Sequence, residues 1–172
     1  MSDSRRKAFS LILALLALLS ASPLAQAQEH STTSQSREEA IAYRLIHQIN
    51  ELRQQRGLPP FLVSEALNRA ATLQSQDMVT YNFFDHTSPV AGRSRPHDRA
   101  VASGYSSTTI AENLFMSMGT PDDGLAAQCF QTWLQSPGHL QNLLDRQRTE
   151  IGVGVASNSQ QETYITAVFG RP

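Results

Sequence analysis

The chain has 172 residues, with 14 lysines and arginines against 15 aspartates and glutamates, and one cysteine. That length suits one domain with a tail, and a formal charge of −1 excludes a bulk polybasic binder of nucleic acid or membrane surface. The single cysteine excludes an internal disulfide framework and any multi-cysteine zinc module.

The amino terminus reads as an export signal. Arg5, Arg6 and Lys7 form its positive region and residues 11–19 (LILALLALL) its apolar run. Ala25-Gln26-Ala27 then supplies small residues where a signal peptidase cuts. Nine apolar residues fall short of the roughly 20 that span a bilayer. Residues 1–27 are therefore expected to be removed, giving a secreted or periplasmic protein with no stable membrane insertion. The 145 residues that follow carry 11 arginines, 14 acidic residues and no lysine. A chain of that size buries about two-thirds of its unfolded surface and needs no disulfide. The arginine bias is read as codon usage rather than function.

Residues 28–37 are polar and aperiodic and are expected to form a disordered lead-in. From Arg37 to Arg56, Ile41, Leu45, Ile49 and Leu52 recur at helical spacing, with His47 off the stripe and Gly57, Pro59 and Pro60 as the stop. Ser64 is placed to N-cap a second helix, whose apolar side is Leu67, Ala70, Ala71, Leu73 and Met78 and which ends near Tyr81 and Asn82. Residues 83–95 are irregular, punctuated by Pro89 and Gly92. A short helix over 96–103 has proline in its first turn and Gly104 as its stop.

Residues 111–118 are predicted as a strand or an extended passage. Asp122 and Asp123 open a helix reaching Leu134, their charges favourable at its N-terminus. Within it Cys129 reads as a small buried hydrophobe. Ser136-Pro137-Gly138 breaks that helix, and a turn or short helix covers 139–144. The period then changes. Ile151, Val153 and Val155 alternate with Gly152, Gly154 and Ala156, and a second strand carries Tyr164 to Phe169, so an antiparallel hairpin is predicted around the loop 157–161. No helix follows Gly152-Val153-Gly154, which is therefore no dinucleotide loop. Its small residues are expected to admit a closely packed helix. Helices flanking a small antiparallel sheet make an α+β domain.

No G-x-S-x-G elbow, P-loop or H-E-x-x-H motif is present. The titratable residues in apolar or turn-rich contexts are His86, Glu112, His139 and Glu150. Each has a structural reading beside a chemical one. His86 reads as a loop imidazole satisfying backbone groups, His139 as a cap after the Pro-Gly break, and Glu150 as a solvated charge at a strand start. Glu112 reads as a buried carboxylate accepting loop amides, in which case Glu112→Ala costs about 1–3 kcal/mol. Asp85 and His97 read as exposed turn and helix-start residues.

Six blocks fall in one order: Asn50-Glu51-Leu52-Arg53 with Gly57-Leu58-Pro59-Pro60; Phe84-Asp85-His86-Thr87-Ser88-Pro89; Ala111-Glu112-Asn113; Trp133 to His139; Asn142-Leu143-Leu144; and Thr149 to Val155. The series resembles the bacterial branch of the CAP superfamily, the cysteine-rich secretory, antigen 5 and pathogenesis-related proteins, over residues 38–171. The resemblance implies a three-layer α-β-α sandwich with an open cavity lined by two histidines and two glutamates.

By motif match His86 and Glu112 take the first of each pair. Ser136 stands where eukaryotic relatives carry the second glutamate, and the block holding their second histidine is missing. His139 is the expected substitute, with Glu150 a weaker candidate. Two imidazoles and a carboxylate are ligand types that zinc takes. His86 and His139 are thus candidate metal ligands, zinc the candidate cofactor and Glu112 the candidate general base. The expected function is a secreted, non-enzymatic binding module for a small apolar, lipid or peptide ligand, with no nucleic-acid partner. The alternative is a zinc-dependent extracellular hydrolase of peptide or cell-wall material. A purely structural role in stress or adhesion would need no cavity chemistry.

Overall fold

The computed structural model describes residues 23–107 and 109–172; residues 1–22, with most of the expected export signal, lie outside them. The elements run α1 (Pro23–Gln55), β1 (Leu62–Val63), α2 (Glu65–Tyr81), α3 (Pro96–Ala102), β2 (Ala111–Met118), α4 (Asp122–Gln135), α5 (Pro137–Leu143), β3 (Glu150–Ser157) and β4 (Glu162–Gly170).

The expected stripe on α1 is its buried face: Ile41, Leu45, Ile49 and Leu52 join the core while His47 stays exposed. The helix does not begin at Arg37, however. It runs through 28–37, which the sequence reading leaves disordered. Once the packed half exists, each preceding residue adds a backbone hydrogen bond at little nucleation cost. Ser34 and Gln35 also donate one turn ahead, to Glu38 at 3.3 Å and Glu39 at 2.9 Å. Gly57, at φ +69°, closes the helix in the left-handed region.

The sheet has the order β1-β3-β4-β2. The predicted hairpin pairs Glu150 with Gly170 through Ser157 with Thr163, and β4 pairs antiparallel with β2 along its whole length. The sheet is mixed rather than purely antiparallel, because β1 lies parallel to β3. Two residues behind Pro59 and Pro60 are too few to carry a readable period, which is why β1 was not predicted.

Alternation along β3 sorts the layers. Ile151, Val153 and Val155 point to α1 and α4, in a core with Leu45, Leu125, Cys129 and Trp133. Gly152 and Gly154 face α2. A Cβ on Gly152 would stand 2.1 Å from the Leu67 carbonyl carbon, and one on Gly154 2.1 Å from the Thr72 amide nitrogen. The helix therefore rests directly on the strand backbone. With α3 beside α2, a three-layer α-β-α sandwich results.

Two details of α2 depart from the sequence reading. Ser64 occupies the N-cap position, but its hydroxyl makes no capping bond. Its amide donates instead to the Ile151 carbonyl at 2.9 Å, so it serves the sheet. Leu73 is only half-buried, whereas Gln74, Ser75 and Asp77 are buried. Each of these polar groups has a partner that explains its position. Ser75 Oγ donates to the Gly154 carbonyl at 3.0 Å and Thr166 Oγ1 at 2.9 Å. Gln74 donates to the Asp85 carbonyl at 2.6 Å.

Arginine has a structural use here that the codon-usage reading does not cover. Arg53 is buried, lies 3.5 Å over the Phe61 ring, and donates to the carbonyls of Pro59, Leu143 and Asp145 at 2.8–2.9 Å. Only a forked guanidinium reaches three carbonyls while stacking on an aromatic face.

Candidate functional site

Alternation along β2 puts Glu112, Leu114, Met116 and Met118 on one face and Asn113, Phe115 and Ser117 on the other. Leu114 packs with Met78 of α2, which identifies the first set as the α2 side. The Glu112 side chain is 1% exposed. Its Oε1 accepts from His86 Nδ1 at 2.8 Å and from Arg99 Nη2 at 3.1 Å, and its Oε2 accepts from Arg99 Nη2 at 2.8 Å. Glu112 thus binds a guanidinium and an imidazole, not the loop amides expected of it.

Arg99 was not singled out from the sequence. Its side chain is fully buried, and it also donates to the Ser94 carbonyl at 2.7 Å and the His86 carbonyl at 3.1 Å. A seven-residue helix is too short to carry a period from which an inward arginine is readable. The loop bearing His86 is also fastened to α2. Asp77 accepts from Ser88 Oγ and Arg93 Nη2, both at 2.7 Å, and Ser94 Oγ donates to the Ser88 carbonyl at 2.7 Å.

A carboxylate that accepts from both partners makes His86 Nδ1 the donor in this pair. Half of the His86 side chain is exposed. His139 lies in the first turn of α5, its ring 6.2 Å from Trp133. Its carbonyl accepts from Asn113 Nδ2 at 3.1 Å, Asn142 donates to Asn113 Oδ1 at 2.8 Å, and the Trp133 indole donates to the Leu114 carbonyl at 3.0 Å. These bonds fasten α4 and α5 to β2 and bring His139 within electrostatic reach of His86. Its Nδ1 is buried without a hydrogen-bond partner.

The two imidazoles are driven apart. The bond to Glu112 raises the His86 pKa above its ordinary 6.5, against partial burial. Burial, and then repulsion by His86, lowers that of His139. The pair is therefore pushed to opposite sides of the ordinary imidazole value. The consequences for stability have opposite signs. The His86–Glu112 contribution is complete below about 6.5 and is lost as pH rises through the folded His86 value. That of His139 is present above about 6.5 and is lost as pH falls through its own lowered value. Water screens the His86 contribution, since that side chain is half exposed.

Glu150 does not join this group. It starts β3, two strands from β2, and its neighbour is Tyr105, whose phenol is pushed well up by burial and by that carboxylate. Asp85 accepts the Thr87 amide at 2.7 Å in an exposed turn, and His97 sits at the start of α3, as expected.

The donor set does not fit a catalytic zinc, which takes three protein ligands. Among the described residues no three His, Cys, Asp or Glu side chains are grouped to hold a metal. Glu112 has both oxygens on Arg99, and position 136 is serine. The zinc expected on His86 and His139 has no third ligand. Both Glu112 oxygens also already accept from Arg99, which leaves neither free to take a proton from water or substrate.

Beyond Glu112 the same face turns apolar and open. Met116 and Met118 are 41% and 67% exposed, and Phe84 is 52% exposed with its ring 6.4 Å from that of Tyr164. No helix among the described residues is long and apolar enough to cross a membrane.

Residues 46–169 match the model of the cysteine-rich secretory protein family, CAP. The chain is 36% identical over 132 residues to the uncharacterized protein YkwD of Bacillus subtilis, an alignment covering 76% of this chain and 49% of that protein. Its fold is similar to that of an extracellular SCP-domain protein from Bacillus anthracis, with a TM-score of 0.66 and 30% identity over 78% of this chain and 41% of the other. An outer surface protein of Borrelia burgdorferi shares the fold at a TM-score of 0.61 and 20% identity, over 74% and 89% of the two chains. The chain spans about half the length, or less, of the two Bacillus relatives.

Proposed function

As the chain belongs to the cysteine-rich secretory protein family, we propose that it is an exported binding module that holds a small, mainly apolar ligand beside His86, not an enzyme. The observation that carries this reading is the run of exposed apolar side chains, Phe84, Met116 and Met118, leading away from His86 and Glu112. Single exposed hydrophobes are ordinary; three in line with a tuned histidine pair describe a site with an apolar body and a polar end. Methionine suits such a surface, being flexible and polarizable. The hydrolase reading is set aside because it requires of Glu112 a metal or a substrate proton, while Arg99 already claims both oxygens. Export rests on the signal-like amino terminus and on the extracellular character of the Bacillus anthracis relative.

A fluorescence titration with 8-anilinonaphthalene-1-sulfonate tests the site, since that probe joins an apolar body to an anion. The double variant Phe84→Ser with Met116→Ser is expected to raise its Kd by on the order of tenfold, and His86→Ala by roughly threefold. All three positions are exposed or half-exposed, so the fold should survive. Equal Kd values for the wild type and the double variant would remove the site.

A further inference from the structure

Thiols and thioethers are the side chains that peroxide oxidises most readily, and exposure selects among them. In this chain their exposure is uneven. Met78 and Cys129 are both 0% exposed. Met78 packs with Leu114 and Tyr164 under α2. Burial also pushes the Cys129 thiol well up, so little of it is the thiolate that oxidants attack. Met116 and Met118 are open instead, at 41% and 67%. These four residues carry every sulfur atom among the described residues.

Position makes the two exposed thioethers a pair. β2 is an edge strand that pairs with β4 alone. Two residues apart on it, Met116 and Met118 fall on the face that carries Glu112 and Leu114. Met116 is in register with Tyr164, whose ring lies 6.4 Å from that of Phe84. Beyond Glu112, the exposed apolar part of this face is therefore Phe84 and two sulfurs. We propose that Met116 and Met118 form a paired site of oxidation by hydrogen peroxide, which switches off the apolar half of the His86 site. In each reaction the thioether sulfur attacks one peroxide oxygen. The O–O bond breaks and an S–O bond forms; sulfur loses two electrons and the peroxide is reduced to water. The sulfoxide is polar and chiral where the thioether was apolar, and it holds water on the surface where the ligand's body would rest. Reversal takes a dithiol-dependent methionine sulfoxide reductase: the oxygen leaves as water and the dithiol becomes a disulfide. The effect on the ligand rests on the binding reading above, whereas the oxidation itself requires only exposure.

The test treats the full chain with dilute hydrogen peroxide and reads each methionine by peptide mass spectrometry. Met118 and Met116 should each gain one oxygen, Met118 first. Met78 should react on the order of a hundredfold more slowly until urea unfolds the chain. The doubly oxidised protein should keep its circular dichroism but bind 8-anilinonaphthalene-1-sulfonate with a Kd roughly tenfold higher. A methionine sulfoxide reductase with dithiothreitol should restore the original Kd. Met116→Leu with Met118→Leu should bind the probe as the wild type does and keep that Kd after peroxide. Oxidation of Met78 as fast as that of Met116 in the folded protein would overturn the proposal. So would an unchanged Kd in protein carrying both sulfoxides, when Phe84→Ser with Met116→Ser does weaken the probe. Equal Kd values for the wild type and that serine variant would instead remove the ligand site, and with it the switch, while the peptide map still decides the modification.

Discussion

Replacing Glu112 with alanine is expected to lower stability by about 3–5 kcal/mol, as removal of one partner from a buried ion pair does. The Arg99 side chain is 0% exposed and that of Glu112 1%, so water does not reach the guanidinium the substitution strands. Carbonyls of Ser94 and His86 would still accept from Arg99, but they bring no countercharge. That is why the effect exceeds the roughly 1–3 kcal/mol appropriate to a carboxylate bonded only to amides. The double substitution Glu112→Leu with Arg99→Met should recover most of the loss, because a well-packed apolar pair commonly replaces a buried ion pair at little cost. Urea denaturation read at equal m-values separates these outcomes. A loss below about 1 kcal/mol for Glu112→Ala would mean that Arg99 is not held as described.

Alanine at Gly154, or at Gly152, should cost at least about 3 kcal/mol, the upper range for overpacking, or prevent folding. The added methyl would meet backbone atoms of α2 at 2.1 Å, well inside van der Waals contact. A crowded side chain can rotate away, but the backbone of α2 can yield only by lifting the helix from the sheet. Lifting it would also pull Ser75 from the Gly154 carbonyl and disturb Gln74 and Asp77, which fasten the His86 loop. Gly138→Ala is the matched control. It lies in α5 with nothing within 4 Å of a new Cβ, so it should be neutral or stabilising by up to about 1 kcal/mol. Thermal melts of the three variants give the comparison; equal melting temperatures for Gly138→Ala and Gly154→Ala would contradict the packing described.

Both expectations begin from features that the sequence carries unequally. The stripe Ile41, Leu45, Ile49 and Leu52 and the alternation of the terminal hairpin are periodic, and periodicity follows from burying one face, so α1, β3 and β4 were legible. Gly152 and Gly154 were legible as small residues admitting a helix, because that requirement acts on the strand itself. β1 has no period in two residues, and Ser64 resembles any N-cap although it serves the sheet. The helical 28–37 segment has no apolar stripe, since it follows from continuity with the packed half of α1.

His86 and Glu112 emerged through ordered motifs, and the structure brings them together. Glu150 did not follow them, because a residue two strands away in space is not marked as such in the chain. Arg99 was invisible for a related reason. Its position is set by what converges on it from the His86 loop and from β2, not by its neighbours in α3.

Glu112 acts as an anchor shared by Arg99 and His86, raising the pKa of the His86 imidazole while burial lowers that of His139. Titration of the ring resonances of His86 and His139 by NMR, in the wild type and in Glu112→Gln, tests it most directly. The predicted result is a wild-type His86 midpoint above 6.5 and a His139 midpoint below it, with His86 falling back toward 6.5 in the variant. A His86 midpoint at or below 6.5 that ignores Glu112→Gln would contradict the account.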